Sequence, residues 1–365
     1  MDKVLLIDGS GLLVANYYGT IPQEVMYAKT DSEKEKAYEL IFKRNGYYAN
    51  AIYPTIRQIY EMAIKSNCNY IGVAFDKSRK NTFRAKMYSE YKGTRPPSPA
   101  PLNQQFVLCE NMLASFGIPV FYSDEFEADD LIGSIAKQVA SEDTEVVIYT
   151  RDKDYIQLVD EHITVWMGVY KDDKPKEIIS YLEDLYKDVG LEYNEYIPNK
   201  TIPYYPCIVE KEKNVKPQNY YHVLALMGDT ADNIPGVKGV SEAVAEKLIS
   251  KYENLDNLYN EIKEYGLKND IDSLKKKWKE ELDIKRSPIT SLVSQEEEAR
   301  LSDELAKIKI DIDMNDFVEG FSISSLACPD SIYDLENLCK NNNNEFKTAI
   351  KNKSYNYIDS IETER

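Results

Sequence analysis

Histidine is nearly absent: of 365 residues only His162 and His222 carry an imidazole, in unrelated contexts. With no GxSxG turn and no cysteine nucleophile signature, catalysis by a histidine-activated nucleophile is not expected. The phosphate-cradling loops GxxxxGK[ST] and GxGxxG are missing too, which removes support for nucleotide hydrolysis and dinucleotide binding. Cysteine is sparse and scattered. Cys68, Cys109, Cys207, Cys328 and Cys339 form no CxxC and no Cys/His cluster, so neither a disulfide framework nor a zinc site is expected. No apolar run approaches the ~18 residues that cross a bilayer, and MDKVLLIDGSGLL has too short an apolar run before Asp8 to be a signal peptide. The expectation is a cytoplasmic protein with reduced thiols and no membrane partner. Positive charge is also in deficit, with 45 Lys and Arg against 62 Asp and Glu and a formal net charge of −17.

What is present is a hydrophobic content of 43%, enough for a real core in one large or two small domains. The first half alternates β-rich runs with amphipathic stretches. VLLI (4–7), a helix across about 34–66, YIGVAF (70–75), a helix near 101–116, IPVF (118–121), a helix over 127–140 and EVVIYT (145–150) follow in order. That alternation predicts an α/β fold with a parallel sheet and helices on both faces, over residues 1–167. Residues 168–218, with KDDKPKE, PYYP and VEKEKNVKP, read as an insertion or linker with one helix, ISYLEDLYKDVG. From 219 to 315 helices dominate, and the polar tail 316–365, with its asparagine run from Asn341, has little to bury.

Acidic residues follow the predicted strands directly: Asp8 after VLLI, Asp76 after YIGVAF, Asp152 and Asp154 after EVVIYT. Those positions are the carboxyl ends of parallel strands, where ligand sites form. Glu127, Asp129 and Asp130 open a helix in FEADDLIG, and Asp229 and Asp232 lie in MGDTADNIPG. Taken singly, each has an ordinary reading as a turn, a helix cap or a partner of the helix dipole. Nine carboxylates converging on one crevice would repel, and hard divalent cations with a preference for oxygen relieve that repulsion. Mg²⁺ fits, and two such ions ~3.5–4 Å apart would suit attack at a phosphodiester.

The charge deficit is not uniform. Between 77 and 95 stand Lys77, Arg79, Lys80, Arg84, Lys86, Lys92 and Arg95 against Glu90 alone, with Phe83, Tyr88 and Tyr91 between them. Cations grip phosphate and aromatic rings stack on unpaired bases, so this run is expected to meet nucleic acid. In NIPGVKGVSEAVAEKL, Gly236, Val237, Lys238 and Gly239 form a tight turn and Ser241 is placed to cap the next helix. The form is that of a helix-hairpin-helix, whose backbone can approach a phosphate, although an ordinary glycine-rich connection has the same pattern.

Together LLIDGSGLL, GVAFD, TFR with YSEYKGTRPP, FEADDLIGSIA, YTRDKDYIQLV and LALMGDTADNIPGVKGVSEAVAEKL, followed by ARLSDELAKIKID, resemble the bacterial 5′→3′ exonuclease and flap endonuclease family, over about residues 1–315. That family's domain stands at the front of many DNA polymerase I chains. The resemblance implies a PIN-like 5′-nuclease core and a two-metal hydrolysis of DNA, or of RNA primers on DNA, at 5′ flaps and 5′ ends in replication and repair. It further implies that Asp8, Asp76, Glu127 and Asp129 hold a first Mg²⁺ and Asp152, Asp154 and Asp232 a second, with Asp130 and Asp229 behind them and Mn²⁺ able to substitute. Arg79, Lys80, Arg84, Tyr91, Lys92 and Arg95 would lie on a helical arch near 77–98, Lys92 and Arg84 with catalytic roles, and the hairpin would grip duplex DNA and bind K⁺. A monomer acting as a stand-alone enzyme is expected, since no polymerase part follows.

Two rivals remain open. A PIN-type metal-dependent ribonuclease uses a similar crevice but has no need of the arch or the hairpin. A non-cutting clamp for branched DNA would have no use for a costly acidic cluster facing phosphates.

Overall fold

The computed structural model describes residues 1–169, 183–192, 198, 201–330, 332 and 343–360. Its centre is a six-stranded sheet: β1 (Asp2–Asp8), β2 (Tyr70–Asp76), β3 (Val120–Ser123), β4 (Thr144–Thr150), β5 (Ile163–Gly168) and β6 (Thr201–Tyr204), in the order β3-β2-β1-β4-β5-β6. The first five strands run parallel and β6 pairs antiparallel with β5. β1 can be central because both its faces are apolar: Val4 and Leu6 enter one core, Leu5 and Ile7 the other, and all four are buried. Strand order reverses between β1 and β4, which opens a crevice at the carboxyl ends of these two strands.

One face of the sheet is covered by α1 (Gly9–Thr20), α2 (Ile52–Ser66) and α3 (Ala100–Ser115), and the other by α4 (Ala128–Val139). The α4 side continues into the helical subdomain without a break in the apolar cluster. There follow α5 (Tyr220–Met227), α6 (Glu242–Tyr252), α7 (Leu255–Leu267), α8 (Ile271–Leu282) and α9 (Glu296–Ala306), and the buried Trp278 of α8 donates its indole N–H to the Tyr252 hydroxyl of α6 at 2.7 Å.

Three expectations are corrected. The single helix over 34–66 is two helices, Asp31–Tyr38 and α2, separated by a hairpin pairing Lys43–Arg44 with Tyr47–Tyr48. Asn45 and Gly46, with φ of 47° and 79°, supply the two left-handed residues that such a turn demands. The stretch 168–218 is more than a linker, because β6 extends the sheet, Pro206–Lys213 is helical and Tyr186 is buried in the core. KDDKPKE lies outside the described residues. The tail also folds back: α10 (Asn343–Ser360) packs on α2, burying Ile358, and Arg44 holds Asp359 through two bonds of 2.8 and 2.5 Å. No helix among the described residues is long and apolar enough to cross a membrane.

Candidate metal and nucleic-acid site

Asp8 ends β1 and caps α1, accepting the Gly11 N–H at 2.8 Å on Oδ1 and the Thr150 hydroxyl at 3.0 Å on Oδ2. Asp76 ends β2; its N–H donates to Ser10 Oγ at 2.8 Å and its Oδ1 accepts the Ala128 N–H at 2.9 Å. Glu127, Asp129 and Asp130 stand at the start of α4, and each can offer one oxygen within 4.8 Å of the others. Asp152 and Asp154 open the turn after β4, where Asp152 Oδ1 accepts the Asp154 N–H at 3.0 Å. Asp229 and Asp232 come from the loop after α5. The carboxylates thus arrive from five chain segments at one end of the sheet.

Burial and mutual repulsion both disfavour their ionised forms. Burial, then the charge of Asp76 and of Asp152, pushes the Asp8 carboxyl up to about 7. Burial and Asp130 raise Asp129 well above the usual carboxylate range, and burial with Asp152, Asp232 and Asp229 does the same to Asp154. Glu127 differs: burial opposes its charge, but Lys92 and Arg84 outweigh that and hold it below the usual range. Tyr155, to which the sequence assigned no role, is buried where Asp8, Asp129, Asp76 and Asp152 all act on its phenol, so it lies among the carboxylates. Thr150 and Ser10 were passed over too, although their hydroxyl side chains in strand-end and DGS contexts were the available signal.

The donor set suits a hard divalent cation, since it is made of carboxylate oxygens. One of them, Asp154 Oδ1, is buried without a hydrogen-bond partner, the position a cation would satisfy. Asp130 is spent otherwise. Its two oxygens accept Arg84 twice, at 2.6 and 2.8 Å, the Glu127 N–H at 3.1 Å and the Lys309 N–H at 2.8 Å, which leaves it a brace behind the site.

The basic run 77–98 is not an open arch. Only Phe83–Met87 is helical, and residues 88–95 dock on the loop after α5: Lys92 N–H donates to the Asp232 carbonyl at 2.8 Å, Arg95 Nε to the Ala231 carbonyl at 3.0 Å and Asn233 Nδ2 to the Glu90 carbonyl at 2.7 Å. Arg84, expected on the arch, is 1% exposed, and Tyr91, expected to stack on bases, is 6% exposed. The Tyr91 hydroxyl instead lies 2.9 Å from Glu127 Oε2 and 3.2 Å from Asp232 Oδ2. A sequence shows that such residues are basic or aromatic, not that a buried acid awaits them. Lys92 Nζ contacts Glu127 and lies 3.5 Å from Asp232, and Arg95 pairs with Asp232, so these two cations stand at the carboxylates. Arg79 is exposed and ties the segment's ends together through Pro96 O at 2.9 Å and Ser98 Oγ at 2.8 Å, while Lys80 is exposed.

In the hairpin, Gly236 and Val237 are buried, and their N–H groups donate to Ser302 Oγ at 3.0 Å and the Leu226 carbonyl at 2.8 Å. The Lys238 N–H is likewise engaged, by Gln295 Oε1 at 2.7 Å, so these amides do not face a phosphate. Lys238, Gly239 and Ser241 have exposed side chains or backbone. Ser241 occupies the N-cap position of α6 but makes no side-chain cap bond, contrary to expectation.

Residues 3–186 match the family model for the 5′-3′ exonuclease N-terminal resolvase-like domain, and residues 215–327 that for the 5′-3′ exonuclease C-terminal SAM fold. A 5′-3′ exonuclease of Buchnera aphidicola is 31% identical over 312 residues, covering 85% of this chain and 88% of that protein. DNA polymerase I of Bacillus caldotenax is 29% identical over 262 residues, 72% of this chain but only 25% of the polymerase, so the chain corresponds to about a quarter of such relatives. Among solved structures, the T5 5′-exonuclease with bound zinc superposes with a TM-score of 0.52 at 16% identity, over 96% of this chain and 99% of that one, which is a likeness of fold. The two domain matches and the near full-length likeness to a 5′-3′ exonuclease place the chain in the 5′-3′ exonuclease family.

Proposed function

We propose that this protein is a magnesium-dependent 5′→3′ exonuclease and flap endonuclease that hydrolyses DNA, and RNA primers on DNA, near a free 5′ end to leave a 5′-phosphate and a 3′-hydroxyl. The observation that carries the proposal is the buried, unpartnered Asp154 Oδ1 within a convergent set of carboxylates that also holds Lys92 and Arg95. Asp8, Asp76, Glu127 and Asp129 would hold one Mg²⁺, and Asp152, Asp154 and Asp232 a second, with Asp229 behind them and Mn²⁺ able to substitute. When bound, the ions would supply Lewis acidity at the phosphodiester and make an attacking water more acidic.

The chain's own residues do the rest. Burial opposes the charge of Lys92, yet the anionic groups around it, Glu127 and Asp232 among them, keep it an ammonium well above its ordinary range. It therefore offers a fixed positive charge to a phosphate brought to this rim. Arg79, Lys80 and Lys238 are exposed cations that can follow a DNA backbone, and the hairpin after Gly236 is a candidate for K⁺. The reading further takes the protein to be a cytoplasmic monomer acting on 5′ flaps and primer junctions.

The test is cleavage of a 5′-labelled flap duplex with Mg²⁺, with EDTA, and by an Asp129→Ala, Asp152→Ala double variant. Cutting near the junction that disappears in EDTA and in the variant is expected. Tight binding with no cutting would favour a clamp, and preferential cutting of free RNA would favour a ribonuclease.

A further inference from the structure

We propose that the segment 305–309, which runs from the last two residues of α9 into the chain that leaves the helix, is a built part of the carboxylate site, and that Arg84 and Gln157 are positioning residues through which it fixes Glu127 and Asp154. The proposal rests on the metal-binding reading above.

Arg84 has five N–H bonds, and all five are placed. Nε donates to the Leu305 carbonyl at 2.9 Å, and Nη2 to the Lys307 carbonyl at 2.8 Å and to Asp130 Oδ1 at 2.8 Å. Nη1 donates to Asp130 Oδ2 at 2.6 Å and to Glu127 Oε2 at 3.0 Å. A planar fork fits this arrangement, whereas a lysine ammonium, with three donors at one point, cannot span two carbonyls and two carboxylates. Glu127 is therefore oriented from behind by a group whose own position is set by the backbone of 305–307.

The other half of the cluster is reached in the same way. Gln157 accepts the Ile308 N–H at 2.9 Å, and its amide donates to the Ala306 carbonyl at 3.0 Å and to the Asp154 carbonyl at 2.9 Å. One segment thus bears, through two buried side chains, on the Glu127 carboxylate and on the backbone that carries Asp154. It is itself laced along α4: Asp130 Oδ1 accepts the Lys309 N–H at 2.8 Å, Ser134 Oγ donates to the Lys309 carbonyl and accepts the Ile312 N–H, both at 3.2 Å, and Gln138 donates to the Ile312 carbonyl at 2.6 Å. Asp130, Ser134 and Gln138 recur every four residues, one face of the helix. The bonds run to backbone atoms of the segment, so what the site requires of 305–309 is its path. Groups that orient metal ligands without touching the metal commonly set affinity by one to two orders of magnitude.

The experiment is a Mn²⁺ titration of the DNA-free full chain, followed by the EPR signal of free Mn²⁺, for the parent, Arg84→Lys and Gln157→Leu. Each variant is expected to bind Mn²⁺ about 10–100-fold more weakly while near-UV circular dichroism stays that of the parent, and kcat on the flap duplex should fall more than KM changes. A purely structural role would lower the melting temperature and leave Mn²⁺ affinity in place. Affinities within about twofold of the parent in folded protein overturn the proposal. Should Arg84→Lys not fold, Gln157→Leu decides alone, since it removes only the amide's hydrogen bonds and buries no new charge. A parent chain that binds no Mn²⁺ defeats the underlying metal reading instead, an outcome distinct from equal binding by parent and variants.

Discussion

Asp76 Oδ1 accepts the backbone N–H of Ala128 at 2.9 Å, so the carboxylate that ends one strand also caps the helix carrying Glu127 and Asp129. The bond satisfies one of the donors left free at the start of α4 and favours negative charge there. It also sets the distance between two carboxylate groups that come from different elements. The acidic site is thus assembled by the same contacts that seat α4 on the sheet.

Metal-free protein should lose stability as pH rises. The Asp8 carboxyl is pushed from 3.8 up to about 7 by burial, by Asp76 and by Asp152. Between those values the folded chain holds a proton that the unfolded chain has released, so this contribution is present below about pH 4 and declines as pH climbs through 7. Asp129 and Asp154, raised for the same reasons, act in the same direction. A divalent cation favours the ionised carboxylates and should cancel the trend. Melting temperatures at pH 5.5 and 8.0 in EDTA are expected to be higher at the lower pH, and Mg²⁺ should raise the value more at pH 8.0. A Mg²⁺ effect that is the same at both would contradict this.

Lys92→Met separates phosphate chemistry from metal holding. Lys92 lies beside Glu127 and Asp232, and its removal takes a cation away from the carboxylates. Flap cleavage should fall by roughly 10²–10³, the scale of losing one preorganised electrostatic partner. Mn²⁺ should bind at least as tightly as before, because competition for the same oxygens is gone. Weaker Mn²⁺ binding would mean that Lys92 supports the site structurally.

The carboxylates were legible in the sequence because a parallel strand that ends in Asp puts that residue at a fixed edge of the sheet, as Asp8 and Asp76 do. The basic run was legible as charge but not as position. Arg84 looks like its exposed neighbours Arg79 and Lys80, and nothing local marks Tyr91 as buried; what holds the two is Asp130, Leu305 and Asp232, which lie 46, 221 and 141 residues away. No local pattern encodes such pairings. The tail failed for a related reason: Ile358 sits among polar residues, and the apolar surface that receives it belongs to α2.

Gly236→Ala should unfold the hairpin. Gly236 has φ of +64°, and an added Cβ would lie 2.4 Å from the Gly228 nitrogen and 2.6 Å from its Cα, both backbone atoms that cannot turn aside. The left-handed strain alone costs roughly 1 kcal/mol, and the clash adds to it. Loss of duplex binding together with a lower denaturation midpoint is expected. A stable variant that still binds duplex DNA would show that α5 and α6 can part without consequence.

Ile358→Ala tests whether the tail belongs to the folded unit. Ile358 is fully buried at the α10–α2 contact, and truncating a buried isoleucine costs about 2–5 kcal/mol. The ion pair of Arg44 with Asp359 is half-exposed, so on its own it contributes about 1 kcal/mol or less. The apolar contact therefore decides the docking. If α10 unfolds with the core, chemical denaturation of Ile358→Ala should show one transition shifted by the full cost. If α10 detaches first, the core transition stays near the parent's and proteolysis cuts the tail in native conditions. In that second case Asp359→Ala should leave the cutting rate almost unchanged, because the ion pair is not what holds the helix.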